Sequence, residues 1–399
     1  MRVLLATWGS RGDVQPLLGL AVALRELGAE ARVCAPPDEE FAELLARVDV
    51  PLVPLGPTVR SVTAGTKPPT AQDAARLAAE LVAAAFDTLG PAAQGCDALL
   101  ANGMMAAAGA RGAADEVSIP YVYACYHLRG LPPQGELSPQ DETDKARWEQ
   151  GRKATELYGT ALDNHRAAIG LPPVDDLRDH VYTGRPWLAA DATLCPARDR
   201  TDIDVVQTGA WVLPDERPLP QELEAFLDAG EPPVYVGFGS MAPHAPKGIA
   251  RAAIEASRAQ GRRVLLARGW AELAPIDDAD DCLVVGEVNQ QALFPRVAAV
   301  VHHGGAGTTT TTARAGAPQV VVPLIGDQPW WAARVAELGI GVAHEGPPPT
   351  VDSLSAALTT ALAPQTRTRA RAVADTMRTD GATVAAHLLL DMAGRKTRP

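Results

Sequence analysis

The feature that most restricts this chain is a rhythm that begins at its first residues and begins again past its middle. Val3–Ala6 is a short apolar run of strand type. Gly9-Ser10-Arg11-Gly12-Asp13 follows as a glycine-bearing loop, Pro16–Leu27 has helical spacing and stops at Gly28, and Ala31–Ala35 reads as the next strand. Strand, loop, helix, strand is the crossover unit of a parallel sheet, because parallel neighbours cannot be joined by a tight turn. Ala71–Leu89 is a further alanine-rich helix, and Ala98–Ala101 and Tyr121–Ala124 are further strands. The order resumes with a strand at Val234–Val236, a glycine turn Gly237-Phe238-Gly239-Ser240 and a helix over about Lys247–Gln260. Strands follow at Arg263–Ala267, Cys282–Val285, Ala298–His302 and Gln319–Val322. The pattern predicts an α/β protein of two doubly wound, Rossmann-like halves, joined by the polar, proline-bearing Asp215–Pro220 stretch. Ligands of such sheets bind beyond the carboxyl ends of the strands, so two halves facing each other would enclose a cleft.

Length and charge agree with this and exclude other classes. The 399 residues exceed the roughly 250–300 at which one core stops growing. A formal net charge of −12 offers no basic face to displace counterions from nucleic acid. The cysteines Cys34, Cys96, Cys125, Cys195 and Cys282 are scattered and form no CxxC pair. That argues against a disulfide framework or a zinc site and fits a reducing cytoplasm. The opening Met1–Ala6 run is too short for a secretory signal, and no apolar stretch approaches the roughly 18 residues of a membrane span.

The most informative segment is Val300-Val301-His302-His303-Gly304-Gly305-Ala306-Gly307-Thr308-Thr309-Thr310. A strand runs into a glycine turn and a threonine-rich helix start. Unpaired N–H groups and the positive end of the helix dipole make such a place an anion site, and a histidine at the strand end adds a donor. It is neither a Walker A loop nor a GxGxxG fingerprint. The plainer reading is a tight turn capped by threonines beside a core histidine. Ser240 could reach a phosphate from the second glycine turn, or that turn is an ordinary one. Asp13 is placed for a general base at the first strand's carboxyl end, or it simply caps the helix that follows. Asp327-Gln328 after the Val321–Pro323 strand end could clamp sugar hydroxyls or form a polar loop. Of Trp330 and Trp331, packing is expected of at least one. His127, His165, His180, His244, His344 and His387 show no metal-ligand spacing and read as structural or surface residues. The Asp277–Asp281 run reads as a solvated loop.

Taken together and in order, these motifs resemble the family 1 glycosyltransferases of the GT-B fold, and among them the enzymes that decorate vancomycin-group glycopeptide antibiotics. The resemblance covers essentially the whole chain and rests on Gly9–Asp13, Val234–Ser240, His302–Thr309 and Asp327-Gln328. It implies that Asp13 deprotonates the acceptor hydroxyl and that Ser10, Ser240, His303, Gly305, Gly307 and Thr308 hold the donor diphosphate. It implies Val288 at the pyrimidine through its backbone, and Asp327 and Gln328 at the sugar. It further implies an inverting, metal-independent transfer with no cofactor beyond a UDP- or dTDP-sugar, in keeping with the lack of a DxD motif at the diphosphate loop. The acceptor would be a heptapeptide aglycone, attacked through a phenol or, as the expectation leans, the benzylic hydroxyl of a β-hydroxytyrosine. Nucleic acid and membrane are not expected partners, and the expected location is the cytoplasm.

One departure stands out: many relatives carry a tryptophan as a base-stacking platform where this chain has Glu287, which leaves UDP and dTDP both open. The expected organisation is an acceptor domain over 1–206, a linker over 207–220, a donor domain over 221–380, and a C-terminal helix and tail over 381–399 packing back on the first domain. Segments Gly56–Pro69 and Leu128–Thr143 would form the acceptor platform. Transfer to another natural-product acceptor, or nucleotide-sugar epimerisation, are the competing activities. A dinucleotide oxidoreductase is disfavoured by the lack of a clean GxGxxG. A non-enzymatic binding protein of two Rossmann-like halves is disfavoured because such proteins are commonly exported.

Overall fold

The computed structural model describes residues 1–63, 70–131, 157–197, 203–239, 248–270, 272–346 and 348–396. The chain divides into two compact units. The first comprises Met1–Ala192, Pro196–Leu213 and Arg378–Pro399; the second comprises Thr193–Cys195 and Pro214–Met377. Among the described residues no helix is long and apolar enough to cross a membrane.

The first unit runs β1 (Arg2–Thr7), α1 (Arg11–Glu26), β2 (Glu30–Ala35), α2 (Glu39–Arg47), β3 (Leu52–Pro54), α3 (Val59–Thr63), α4 (Ala71–Ala93), β4 (Ala98–Asn102), α5 (Met104–Glu116) and β5 (Tyr121–Cys125). A helix over 157–168, α6, precedes α7 (Leu177–Tyr182), β6 (Trp187–Leu188) and β7 (Val206–Gln207). Its sheet is parallel in the order β3-β2-β1-β4-β5-β6-β7. β1 lies inside the sheet between β2 and β4, with Val3, Leu4 and Leu5 fully buried. That is why it reads as an unbroken apolar run and not an alternating one. Burying each such side chain contributes about 1.5–3 kcal/mol.

Small residues set the helix packing on this sheet. A Cβ at Gly109 of α5 would lie 2.3 Å from the Ala85 Cβ of α4, and one at Gly112 would lie 2.4 Å from Phe86 Cζ. The two helices therefore touch at a distance only glycine permits.

The second unit runs α8 (Gln221–Asp228), β8 (Val234–Gly237), α9 (Ile249–Ala259), β9 (Val264–Ala267), β10 (Cys282–Val285), α10 (Gln290–Leu293), β11 (Ala299–His302), α11 (Ala306–Arg314), β12 (Gln319–Val321), α12 (Gln328–Glu337), β13 (Gly341–Ala343), α13 (Val351–Ala361) and α14 (Pro364–Ala374). Its parallel sheet has the order β10-β9-β8-β11-β12-β13. One apolar layer, with Val236, Ile254, Leu266, Val301 and Leu358, lies on one side, and another, with Leu223, Leu265, Phe294 and Val300, on the other.

The helix α15 (Gly381–Lys396) groups with the first unit. It enters through a close approach at Gly381, where a Cβ would lie 2.5 Å from the Ala210 oxygen.

Several details differ from the sequence expectation. Arg11, Gly12 and Asp13 are not loop but the first turn of α1, which starts five residues before Pro16. The two units meet between Leu213 and Pro214, inside the stretch expected as a linker over 207–220. The strand expected last, at Gln319–Val322, is followed by β13. Of the expected acceptor platform, 64–69 and 132–143 lie outside the described residues. The remainder holds α3 and a single 3-10 turn at Leu128–Gly130.

Candidate active site

In each unit the strand order reverses at one point, between β1 and β4 in the first and between β8 and β11 in the second. That reversal opens a crevice at the strand ends. Ser10 and Asp13 follow β1 at the first of these points and His303, Gly305, Gly307 and Thr308 follow β11 at the second, each group in its own unit.

In the first unit, Trp8 leaves β1 buried, its indole donating to the Pro57 oxygen at 2.9 Å. Ser10 is the N-cap of α1; its Oγ accepts from the Gly12 N–H at 3.2 Å. Asp13, at the third helical position, turns its carboxylate back so that Oδ2 accepts the Ser10 N–H at 2.9 Å, with Ser10 Oγ 3.4 Å away. This reciprocal cap satisfies donors the helix itself cannot. The carboxylate occupies the space a side chain at position 9 would need: a Cβ on Gly9 would lie 2.3 Å from Asp13 Oδ2. From below, the buried Tyr126 hydroxyl donates to the Asp13 carbonyl oxygen at 3.1 Å, its ring edge-on to Trp211. Burial, and then the Asp13 charge, push that phenol well above its ordinary value, so it stays protonated. Across the crevice, Thr7 and Asn102 close the ends of β1 and β4 with a 3.3 Å hydrogen bond, and the Asn102 amide donates to the Ala124 oxygen.

In the second unit β11 ends in two histidines with different surroundings. His302 is fully buried. Its Nδ1 accepts the Gly304 N–H at 3.1 Å, which leaves the proton on Nε2, 2.8 Å from Gln319 Oε1. Burial, then the neighbouring His303, lower its pKa to about 3, so it is a neutral structural brace. The His303 ring lies over the glycine turn. A Cβ at Gly305 would sit 2.6 Å from its Nε2, and one at Gly239 would sit 3.3 Å from its Cε1. Its Nδ1 is buried with no partner among the described residues. Burial lowers its pKa to about 4, against the opposing charge of Asp327. A neutral imidazole with an unmet nitrogen inside a glycine cradle is a donor awaiting an acceptor or an acceptor awaiting a donor.

Gly304 has φ +90°, and a Cβ there would lie 2.7 Å from Val321 Cγ1. The turn needs a residue without a side chain for both reasons. Gly305, the N-cap of α11, supplies no side-chain cap. The first N–H groups of α11 therefore have no intrahelical acceptor. Thr309 and Thr312 turn their hydroxyls onto the Gly305 and Thr308 carbonyl oxygens of their own helix. They do not cap it, as the plainer sequence reading supposed. Gly307 is exposed and Thr308 half-buried at the open end.

At the end of β12, next in the sheet to β11, Asp327 is the N-cap of α12, and its Oδ2 accepts from the buried Trp331 indole at 2.8 Å. Gln328 is buried; its Oε1 accepts from the Leu324 and Ile325 N–H groups at 2.8 and 3.0 Å. Its carbonyl oxygen thus holds the 324–326 turn in shape. Val288 sits half-buried in the loop after β10, packed on the apolar layer below.

The structure therefore brings His303, Gly305, Gly307 and Thr308 to one turn, with Asp327 and Gln328 at the adjacent strand end and Val288 three strands away in the same sheet. Ser10 and Asp13 belong to the first unit, and Ser240 lies outside the described residues. Sequence reasoning did not find Gln319, which braces His302, nor Arg217, which sits at the β10 loop. Gln319 left one signal: a buried polar residue opening an otherwise apolar strand.

Comparison with known proteins adds an independent line. Residues 273–386 match the family described as erythromycin biosynthesis protein CIII-like, C-terminal domain. Glycosyltransferase GtfE of Amycolatopsis orientalis is 58% identical over 408 residues, covering 99% of this chain and 98% of that protein. The vancomycin aglycone glucosyltransferase of the same organism is 57% identical over 407 residues with the same coverage. Its dTDP-epi-vancosaminyltransferase is 54% identical over 380 residues, 94% of this chain and 93% of that one. Among solved structures, the glycosyltransferase of kitacinnamycin superposes with a TM-score of 0.74 at 20% identity over 98% of each chain. The glycosyltransferase VinC, solved with dTDP, gives 0.71 at 22% over 99% of this chain and 100% of its own. The two parallel-sheet, Rossmann-like units are those of the GT-B fold.

Proposed function

The chain belongs to the vancomycin-group glycosyltransferases, and from that membership we propose that it moves a sugar from a UDP- or dTDP-sugar to a hydroxyl of a heptapeptide glycopeptide aglycone during antibiotic biosynthesis. The observation that carries the proposal is the uncapped N-terminus of α11 beside a neutral His303 whose Nδ1 is unmet. A departing nucleoside diphosphate gains negative charge as the bond from the sugar's anomeric carbon to the phosphate oxygen breaks. Preorganised N–H groups and a helix dipole stabilise that charge with no reorganisation at the moment of reaction. Gly305, Gly307 and Thr308 give the diphosphate its cradle, and His303 donates to it; Ser240 and Ser10 complete the set assigned to the phosphates. This division of labour asks for no metal ion and no further cofactor.

On the acceptor side, a hydroxyl is a weak nucleophile at neutral pH and needs a positioned base. Asp13 takes that role: its carboxylate accepts the acceptor proton as the hydroxyl oxygen bonds to the anomeric carbon from the face opposite the leaving group, so the configuration inverts. We assign the attacked group to the benzylic hydroxyl of a β-hydroxytyrosine, with 56–69 and 128–143 as the platform for the aglycone. Asp327 accepts from sugar hydroxyls, Gln328 contributes its amide from the same turn, and Val288 meets the pyrimidine through its backbone.

The test is calorimetric titration of the parent and of His303→Ala with UDP and with dTDP. Turnover of a glycopeptide aglycone with the matching donor panel follows. Micromolar binding that His303→Ala weakens supports the reading, and the tighter nucleotide names the donor class. Absence of binding to either nucleotide would sink it.

A further inference from the structure

Against the loop after β10 lies a planar cation from the segment that precedes α8, held at its rim by two carboxylates. Arg217 donates from Nε to Asp215 Oδ1 at 2.8 Å and from Nη2 to Asp215 Oδ2 at 2.6 Å. Its Nη1 lies 3.0 Å from Glu287 Oε1. These hydrogens lie in the guanidinium plane, so partners on the Asp215 side and the Glu287 side fix the orientation of the plane and draw on its rim, not on its faces. The side chain keeps 39% of its exposure. The backbone around it is pinned as well: the Asn289 side chain donates to the Asp215 and Arg217 carbonyl oxygens at 2.7 and 2.9 Å, while its Oδ1 caps α10. Segments 215–217 and 287–289 thus form one braced unit at the carboxyl end of β10.

We propose that the Arg217 guanidinium, held flat by Asp215 and Glu287, is the stacking platform for the pyrimidine of the donor nucleotide. The proposal rests on the diphosphate site at His303 and α11 and extends it along the sheet. In the order β10-β9-β8-β11, the two places are three strand steps apart, about 14 Å at roughly 4.8 Å per step. A nucleotide anchored by its phosphates at α11 can run along the strand ends in only two directions. Towards β12 it meets the carboxylate of Asp327, which suits neutral sugar hydroxyls. Towards β10 it meets the braced guanidinium, a plane on which the flat ring of a base can stack. The arrangement also gives Glu287 a purpose: a carboxylate cannot stack on a base, but it can orient the cation that does.

The test uses the full-length protein and four probes: UDP, dTDP, inorganic pyrophosphate, and 5,6-dihydrouridine diphosphate. The last keeps the hydrogen-bonding edge of uracil and lacks its aromatic face. The expected result is that Arg217→Ala and Arg217→Lys each weaken the preferred nucleotide about tenfold and leave pyrophosphate affinity unchanged, which also reports an intact phosphate site. The parent should prefer UDP to its dihydro analogue, and both variants should lose that preference. Full nucleotide affinity in Arg217→Lys would overturn the proposal, since charge without a plane would then suffice. So would equal loss for pyrophosphate and nucleotide, or a preference over the dihydro analogue that survives the substitutions. If the parent binds pyrophosphate and nucleotide equally, the platform fails and the diphosphate site stands; if it binds neither, both fail together.

Discussion

The β1–α1 turn of the first unit and the β11–α11 turn of the second are built to the same plan and finished in opposite ways. Both take a buried strand through glycines into a helix, and in both a glycine leaves room for one functional side chain to fold back over the turn. In the first, that side chain is the Asp13 carboxylate, which accepts the Ser10 N–H and supplies the helix start with its own anion. In the second, it is the neutral His303, and the helix start has no side-chain cap. A helix N-terminus favours negative charge. In the proposed reaction the turn that carries its own anion handles the proton, and the turn that lacks one holds phosphate; the observed difference is in who supplies the anion.

The sharpest way to break this comparison is Asp13→Asn. Asparagine keeps the shape and an oxygen able to accept the Ser10 N–H, but it cannot take a proton. Turnover should fall by about 10²–10⁴, while melting falls by no more than the roughly 1 kcal/mol of a weakened cap. Near-normal turnover would leave Asp13 a cap and nothing more. His303→Ala comes next: losing one hydrogen bond to a charged ligand, worth about 1.5–3 kcal/mol, should weaken nucleotide binding at least tenfold in calorimetry. The glycines then sharpen the contrast with no functional group removed. Gly305→Ala puts a Cβ 2.6 Å from His303 Nε2, and Gly9→Ala puts one 2.3 Å from Asp13 Oδ2. The first should cost nucleotide affinity about fivefold to tenfold; the second should cost mainly turnover, with a smaller loss of nucleotide affinity through Ser10, the cap partner of Asp13, each displaced group retaining part of its function. A Gly9→Ala enzyme that loses as much nucleotide affinity as Gly305→Ala would show that the two turns are not separable in this way.

How much of this could be read beforehand follows from where the physics is local. The central strands were legible because burial on both faces leaves continuous apolar runs such as Val3–Ala6 and Val234–Val236. The short outer strands β3, β6, β7 and β13, two or three residues each, were not, since that length carries no pattern. The start of α1 was misread as loop because Gly9 and Gly12 look like breakers, while the Ser10–Asp13 cap that forms the helix there outweighs them. The turn at His303, with its glycines running into a helix start, was legible in the sequence. Its selectivity between the two histidines was not: that depends on Gln319, brought alongside by the neighbouring strand. Gln328 reads in the sequence as part of a clamp for sugar hydroxyls or of a polar loop, on its amide chemistry; that its buried side-chain oxygen also braces the 324–326 turn became visible only with the chain folded.

The smallest expected effect concerns acid. His303 titrates at about 4 in the folded protein, against an ordinary value of 6.5, because burial penalises its charged form. Between those values the unfolded chain binds the proton and the folded one does not, so stability rises with pH across this window and is lost as pH falls from 6.5 towards 4. His302 acts in the same sense with a still lower value of about 3. Comparing parent with His303→Gln by urea titration at pH 6.5 and at pH 4.5 isolates the share of the second turn. The variant should lose about 1–2 kcal/mol less over that interval. Bound nucleotide should reverse the sign locally: the diphosphate charge raises the His303 pKa, so binding takes up a proton and the share of affinity owed to His303 should increase as pH falls towards 4. An affinity that declines together with stability over the same interval would mean that His303 does not face the diphosphate, and the two turns would then differ in structure but not in task.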